Sequence, residues 1–571
     1  MTGSPSFVPS CLRVSNLMEQ HFDTAFAAPD GIAKLRELIL TLAMQGKLVE
    51  QDPNDPPASE LLKEIEVEKQ RLVKASKIKK PKPLPPIKPE EVPYELPLGW
   101  EWVRLGEIGI INPRNDAEDS ATAGFVPMPL IPEGYSDKHQ FEERPWSEIK
   151  KGYTHFADGD VGMAKITPCF ENAKSCVFSG LPNGIGAGTT ELHIFRNSFN
   201  SVAPRFLLYY LKNPNYISRA VPKMTGSAGQ KRVPTPYFTE QLFPLPPLSE
   251  QHRIVARIDQ LMARCDALEK LRKEREEKRL AVHAAAIKQL LDAPDGSAWN
   301  FIQQHFGEVY TVKENVAELR KAILQLAVMG RLVPQDPNDP PASELLKEIE
   351  AEKQRLVKEK KIKTPKPLPE VSDEEVTHEI PTSWAWVRFG DIAQHNSGKT
   401  LDKGRNTGEP RDYITTSNLY WGRFELDNVR QMLIRDHELE KCTARKNDLL
   451  ICEGGEAGRA AVWHFDSEVC FQNHVHRARF HRDIDPYFAY RFFEKLNATG
   501  EINQHRKGVG ISNMSSKALA SIVFPLPPLP EQHRIVTRID QLMALCDRLD
   551  QQIDAATGKQ SELLNAVMAQ V

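Results

Sequence analysis

The stretch Phe243-Pro-Leu-Pro-Pro-Leu-Ser-Glu-Gln-His-Arg-Ile-Val255 decides the fold. Its prolines end whatever precedes them, Ser249 can cap a helix, and Glu250 sits where a helix N-terminus favours an anion. From there Ile254, Ile258, Leu261, Cys265 and Leu268 recur at spacings of 4, 3, 4 and 3. That apolar seam of coiled-coil type predicts unbroken helix to about Leu291. Some forty residues of helix reach on the order of 60 Å, too long for a core helix and suited to a spacer.

The same text returns as Phe524-Pro-Leu-Pro-Pro-Leu-Pro-Glu-Gln-His-Arg-Ile-Val536. Its seam is Ile535, Ile539, Leu542, Cys546 and Leu549, each 281 positions after its twin. A second block repeats as well. Ile32, Leu35, Ile39 and Leu42 predict a short helix stopped at Gly46. A turn and second helix follow over Gln51-Asp-Pro-Asn-Asp-Pro-Pro-Ala-Ser-Glu-Leu-Leu-Lys-Glu-Ile-Glu66, then a proline-stiffened basic linker, Lys77-Ile-Lys-Lys-Pro-Lys-Pro-Leu-Pro-Pro86. Val316, Leu319, Ile323 and Leu326 match the first helix, Gln335 to Glu350 the second, and Leu98-Gly-Trp-Glu-Trp-Val-Arg-Leu-Gly106 answers Thr382-Ser-Trp-Ala-Trp-Val-Arg-Phe-Gly390.

In the centre, long helix, short helix and linker follow one another; at the chain ends the same unit is split. Packing the C-terminal helix beside the N-terminal block would rebuild it and close the chain into a pseudo-twofold ring, completed by antiparallel contact of the long helices. Residues 1–30 show no periodic pattern and read as an extension.

Between the repeats lie two segments with similar frames and different texts. Each opens on Trp-x-Trp, contains an apolar strand after a turn (Asp158 to Lys165, Lys446 to Cys452), then a Pro-initiated aromatic helix (Pro204, Pro486), and ends in Phe-Pro-Leu-Pro. The net charge of −3 predicts no large nucleic-acid affinity by itself. Residues 161–232, however, hold nine Lys/Arg against two acids, whereas 97–160 hold six against twelve. Such polarity can present a basic face to phosphates. Eight cysteines without a C-x-x-C pair, no basic-then-apolar leader and no long apolar run point to a reduced, cytoplasmic protein without a zinc site or membrane span.

Catalytic motifs fail in turn. Ser397-Gly-Lys-Thr400 lacks the first glycine of a P-loop, with Ala393 in its place, and His437-Glu438 lacks the second histidine of a zinc protease, with Lys441 there. Gly184-Ile-Gly-Ala-Gly188 reads as a turn. Asp55-Pro-Pro-Ala58 and Asp339-Pro-Pro-Ala342 lack the aromatic that would stack on a flipped base, and their double occurrence argues for structure. What remains are two glycine-flanked polar loops at matching places, Thr225-Gly-Ser-Ala-Gly-Gln-Lys-Arg-Val233 and Arg506-Lys-Gly-Val-Gly-Ile-Ser-Asn513. Glycine lets backbone approach phosphate, Lys and Arg neutralise it, and Gln, Arg and Asn can pair with purine edges.

The two Pro-Leu-Pro-Pro-Leu-x-Glu-Gln-His-Arg-Ile-Val entries and the Pro-Asn-Asp-Pro-Pro-Ala-Ser-Glu-Leu-Leu blocks make the chain, over about 31–571, resemble the specificity subunits of Type I restriction–modification systems. The resemblance implies an α+β architecture: two mixed α/β target recognition domains separated by two long antiparallel helices, each domain reading half of a split, asymmetric site in double-stranded DNA. It implies no catalysis and no cofactor in this chain. Two modification subunits would bring S-adenosylmethionine, and two restriction subunits would use ATP and Mg2+. The corresponding boundaries are an extension (1–30), helices and linker (31–95), domain 1 (96–248), the central helical region (249–380), domain 2 (381–529) and a C-terminal helix (530–571). By position alone, candidate DNA contacts are Lys165, Lys174, Thr189, Ser227, Gln230, Lys231 and Arg232 in the first segment. Their counterparts in the second are Lys399, Arg459, Asn473, Arg506, Lys507, Ser512 and Asn513. A single-chain methyltransferase-nuclease would need the motifs found missing, and a plain coiled-coil adaptor would not carry two large unlike inserts.

Overall fold

The structure, a computed structural model, describes residues 24, 26–78, 80–227, 229–292, 297–402, 404–507 and 512–569. Most of the 1–30 segment, Ala228 and residues 508–511 of the two polar loops therefore lie outside the described residues, as does the side chain of Ser512. The chain forms two compact units, Met1–Glu274 with Ala556–Val571, and Arg275–Ala555. The helices that recur in pairs are α1 (Gly31–Met44), α2 (Ala58–Lys74), α3 (Leu248–Asp292), α4 (Lys313–Val328), α5 (Ala342–Lys358) and α6 (Leu529–Met568). Among them no helix is long and apolar enough to cross a membrane.

Glycine ends α1 and α4 for a reason visible in both copies. Gly46 and Gly330 each take φ +69, and a Cβ on them would stand 2.3 and 2.5 Å from Pro97 and Pro381. The stop frees the backbone to turn left-handed and lets the far end of the linker lie against it.

The first long helix begins two residues earlier than a cap at Ser249 predicts. Ser249 therefore lies inside the first turn of α3, and its hydroxyl donates to Asp55 at 2.5 Å. At 45 residues, α3 spans about 67 Å. Its seam buries Ile254, Ile258 and Cys265 and half-buries Leu261; in α6, Ile535, Ile539 and Cys546 are buried, with Leu542 and Leu549 packed against them. Leu268 departs from the seam, 45% exposed. Its twin Leu549 lines an apolar hollow with Trp299 and Phe306, whose counterparts 284 positions upstream, Ser15 and Phe22, lie outside the described residues.

That offset also corrects a boundary. Asn16-Leu-Met-Glu-Gln-His-Phe22 matches Asn300-Phe-Ile-Gln-Gln-His-Phe306, and Phe26 matches Tyr310. In the second unit this text forms the helices Ser297–Gln304 and Phe306–Val309. The segment 1–30 thus contains the opening of the repeat, missed because it was weighed for periodicity and not against its twin. The end of the C-terminal helix packs on the N-terminal block as sequence order predicts: Leu564 and Val567 of α6 share a buried cluster with Phe26, Ala28 and Leu38.

Each variable segment is closed by its own ends. β1 (Glu101–Arg104) pairs antiparallel with β2 (Leu242–Leu245), and β3 (Ala385–Arg388) with β4 (Val523–Leu526). Inside, two four-stranded sheets recur in one order. The first runs Ile110–Ile111, Leu192–Arg196, Val161–Ala164, Ser175–Val177 in one unit. It runs Ala393–Ser397, Val475–Phe480, Leu449–Cys452, Ala460–Val462 in the other. The second sheet carries a parallel pair, Thr122–Val126 with Ile185–Gly188 and Glu409–Ile414 with Val469–Phe471, amid antiparallel neighbours. The glycine-rich run read as a turn is therefore strand in all but its first residue. A Cβ on Gly186 would meet Phe156 at 2.4 Å and the Gly124 carbonyl at 2.6 Å, so glycine serves close strand packing there.

Candidate nucleic-acid interface

The Glu-Gln-His-Arg entry of each long helix works as a lock. Glu250 accepts from the Trp100 indole at 2.9 Å and from Gln51 at 2.6 Å; Glu531 accepts from Trp384 at 2.9 Å and Gln335 at 2.5 Å. Burial pushes both carboxyls up, and these donors pull back against it. Gln251 and Gln532 accept from the backbone N–H of Ala203 and Asp485, just ahead of the aromatic helices Pro204–Leu211 and Pro486–Ala498. Arg253 and Arg534 bind Asp55 and Asp339 at 2.6 Å. The Asp-Pro-Pro turns are thus bound to the helix starts, and the text that repeats is the text that fixes each variable segment to its spacer.

The variable segments then present their polar loops from equivalent seats. In the first, Thr225 and Arg232 exchange backbone hydrogen bonds of 2.9 and 2.8 Å, and Val233 N–H donates to the Lys165 carbonyl at 2.8 Å. In the second, Lys507 and Asn513 exchange bonds of 2.8 and 2.9 Å, and Met514 N–H donates to the Glu453 carbonyl at 2.8 Å. Lys165 and Glu453 each follow the buried central strand of the first sheet, Val161–Ala164 and Leu449–Cys452. Gly454–Gly455 and Ser512–Asn513 add a short ladder in the second unit.

Side chains on these seats divide sharply. Ser227, Gln230, Lys231, Lys507 and Asn513 are exposed. Thr189 accepts from the Glu191 N–H at 3.2 Å, while Lys165 and Asn473 are half-buried, tied through backbone to Val233 and Lys399. The remaining cations are engaged inside the fold. Arg232 forks onto Glu191 with two bonds of 2.9 Å, and this pairing draws the Glu191 carboxyl below its usual range. Lys174 reaches the Met128 carbonyl at 3.3 Å and Glu133 at 3.4 Å. Lys399 pairs with Glu438, whose carboxyl the Arg435 and Lys399 hydrogen bonds hold down to about 2. Arg459 is spent on Glu456 and the Thr416 carbonyl, and Arg506 on the Ala457 carbonyl and Asn503.

The same holds for the basic stretch 161–232. Arg196 pairs with Asp160 at 2.6 Å, Arg205 with Asp259 at 2.5 Å, and buried Lys212 donates to the carbonyls of Gly134 and Ala173 at 2.6 and 3.1 Å. Its excess of charge is largely internal scaffolding. Counting charges along the sequence could not distinguish these uses, because the partners lie tens of residues away. The residues that sequence reasoning missed are the buried histidines His193 and His476 beneath the two loops; their only signal was a histidine as the second residue of each strand, after Leu192 and after Val475.

The Type I restriction modification DNA specificity domain matches residues 182–277 and 381–556. The chain is similar to the Type I restriction enzyme EcoAI specificity subunit of Escherichia coli, 42% identical over 94% of this chain and 93% of that one. It is also similar to the EcoEI specificity subunit of Escherichia coli, 40% identical over the same shares. Among solved structures it resembles the HsdS subunit from Thermoanaerobacter tengcongensis, at 19% identity and a TM-score of 0.46 over 84% of this chain and 98% of that one. With 42% and 40% identity running along nearly its whole length, the chain belongs to the specificity subunits of Type I restriction enzymes.

Proposed function

We propose that this chain reads a bipartite, asymmetric target in double-stranded DNA, one half-site per variable segment, and holds the other subunits of its complex in place. The observation that carries this reading is the pair of equivalent loop seats bearing different exposed text: Ser227, Gln230 and Lys231 on one, Lys507 and Asn513 on the other. Bases are read by side chains that can meet their edges, whereas phosphate contacts set register without sequence information. Two copies of one frame with unlike loops suit two unlike half-sites. The long helices set the distance between the half-sites.

The chain supplies no chemistry of its own in this reading. Two modification subunits methylate adenine with S-adenosylmethionine, and two restriction subunits use ATP and Mg2+, all in the cytoplasm. The test is to assemble the chain with its modification subunits, offer a DNA pool randomised across the target, and sequence the methylated molecules. Two short half-sites at a fixed gap are expected. A single contiguous site, or methyl transfer by the isolated chain, would overturn the proposal.

A further inference from the structure

His193 lies on the strand Leu192–Arg196 and His476 on Val475–Phe480, the equivalent strands of the two central sheets, and neither ring has meaningful exposure. In each, Nε2 meets a backbone carbonyl, that of Val233 at 2.8 Å and that of Met514 at 2.9 Å. A carbonyl only accepts, so Nε2 carries the proton and donates. The other nitrogen, Nδ1, is buried without a hydrogen-bond partner among the described residues in both rings. An apolar side chain would fill either space without an unpaired ring nitrogen, but it would strip the buried carbonyl of its donor. What the imidazole adds is the single bond to the residue that leaves the loop.

That residue is then clamped at both main-chain groups. The N–H of Val233 is held by the Lys165 carbonyl and its C=O by His193; the N–H of Met514 is held by the Glu453 carbonyl and its C=O by His476. Packing around the rings is not shared. Phe238 stacks on His193 at 5.0 Å and 10°, and its counterpart 281 positions on is Leu519, which has no ring to stack. The hydrogen bond persists where the packing does not.

We infer that His193 and His476 are positioning residues for sequence discrimination, each fixing the height and register of one reading loop over its sheet. The inference rests on the reading that these loops meet DNA. Bidentate contact with a base edge requires placement within about half an ångström, which only a fixed loop base can supply.

The test uses the full chain assembled with its modification subunits, comparing His193→Leu, which removes the donor, with His193→Gln, whose amide nitrogen can take the place of Nε2. Hydrogen exchange over 225–233 should quicken about tenfold or more in His193→Leu, return towards wild type in His193→Gln, and stay unchanged over 507–513. In the randomised-DNA selection, His193→Leu should lose about tenfold discrimination in one half-site, leaving the other half-site and the salt dependence intact. His476→Leu should do the mirror image. An unchanged exchange rate over 225–233 would overturn the anchor itself. A loosened loop with both half-sites still read as in wild type would overturn the positioning role. If wild type reads no half-sites, the proposed function falls and this role with it. Should His193→Leu fail to fold, His193→Asn against His193→Gln makes the same comparison, since the shorter amide falls short of the carbonyl.

Discussion

The two units make one joint in two chemistries. In the second, the end of α3 meets the repeat's opening through a buried polar pair, His283 Nε2 and the Tyr310 hydroxyl at 3.1 Å, with the rings edge-on at 5.1 Å. In the first, the corresponding residues are Leu564 of α6 and Phe26, buried in one apolar cluster. In one case the partners are 27 residues apart; in the other they are the two ends of the chain. The polar pair is therefore not what the joint requires. What it requires is that both partners be polar or both apolar, and that the chain's ends be brought together as its middle already is.

The strongest way to break this equivalence is to remove α6. Ending the chain after Phe524 takes away Ile535, Ile539 and Cys546, and with them Glu531 and Gln532. At about 1.5–3 kcal/mol for each buried apolar side chain, the second unit should not survive, and the product should be aggregated or unable to take up partner subunits. A sharper cut ends the chain at residue 559. It spares the second unit and takes from the first the end of α6, with Leu563, Leu564, Val567 and Met568 of its apolar cluster. Loss of Leu564 and Val567 should cost the first unit roughly 3–6 kcal/mol. Differential scanning calorimetry should show its transition lowered and the other unmoved. Equal loss in both transitions, or none, would mean that the chain ends do not complete the first unit.

Next in size is the polar pair. His283→Leu alone leaves the buried Tyr310 hydroxyl unpaired and should cost about 1–3 kcal/mol. Combined with Tyr310→Phe it reproduces the first unit's chemistry, and the double variant should be more stable than His283→Leu. Additive losses in such a cycle would show the two residues acting independently.

Much of this fold was legible because the sequence states it twice. The long helices, the split repeat and the packing of the C-terminal helix on the N-terminal block followed from the two Glu-Gln-His-Arg entries, and the strands of Trp-x-Trp and Phe-Pro-Leu-Pro pair as the ends of one segment should. The first stop, at Gly46, was legible because φ +69 suits glycine. The loops were found by their glycines and their matching places. The use of each side chain was not legible. Arg232 and Gln230 are two residues apart, yet one is forked onto Glu191, 41 residues away, and the other is exposed. Lys399 and Arg459 looked available for the same reason. Local chemistry names what a side chain can do, and only the fold says whether another residue has already taken it up.

That division sharpens the expectations for DNA. Gln230→Ala should relax discrimination in one half-site, and Asn513→Ala in the other, each by roughly 1–3 kcal/mol for a lost bidentate pair. Lys231→Ala and Lys507→Ala should weaken binding to every sequence and flatten its salt dependence by about one counterion. Arg232→Ala should behave otherwise. It strips Glu191 of its partner, so it should loosen the first loop and leave the salt slope nearly as it was. Titrations of the assembled complex at several salt concentrations separate these outcomes, and a flattened slope in Arg232→Ala would show its guanidinium free for phosphate after all.

The smallest expected change concerns distance alone. The units divide at Glu274 and at Ala555, each within a long helix that starts in one unit and ends in the other. Four residues inserted at both places lengthen the two helices together, by about 6 Å at 1.5 Å per residue. A base pair occupies about 3.4 Å of duplex, so the tolerated gap should grow by roughly one to two base pairs. The same four residues turn each helix about 40° beyond a full turn at 3.6 residues per turn, and affinity should fall somewhat while the half-site sequences stay as they were. Nothing in either loop seat is touched: the Thr225–Arg232 and Lys507–Asn513 bonds lie well outside the inserted stretches. Sequencing DNA methylated by the lengthened complex reads gap and half-sites in one experiment. A change in the bases read with the gap unaltered would mean that the helices shape the reading surfaces and do not measure the distance between them.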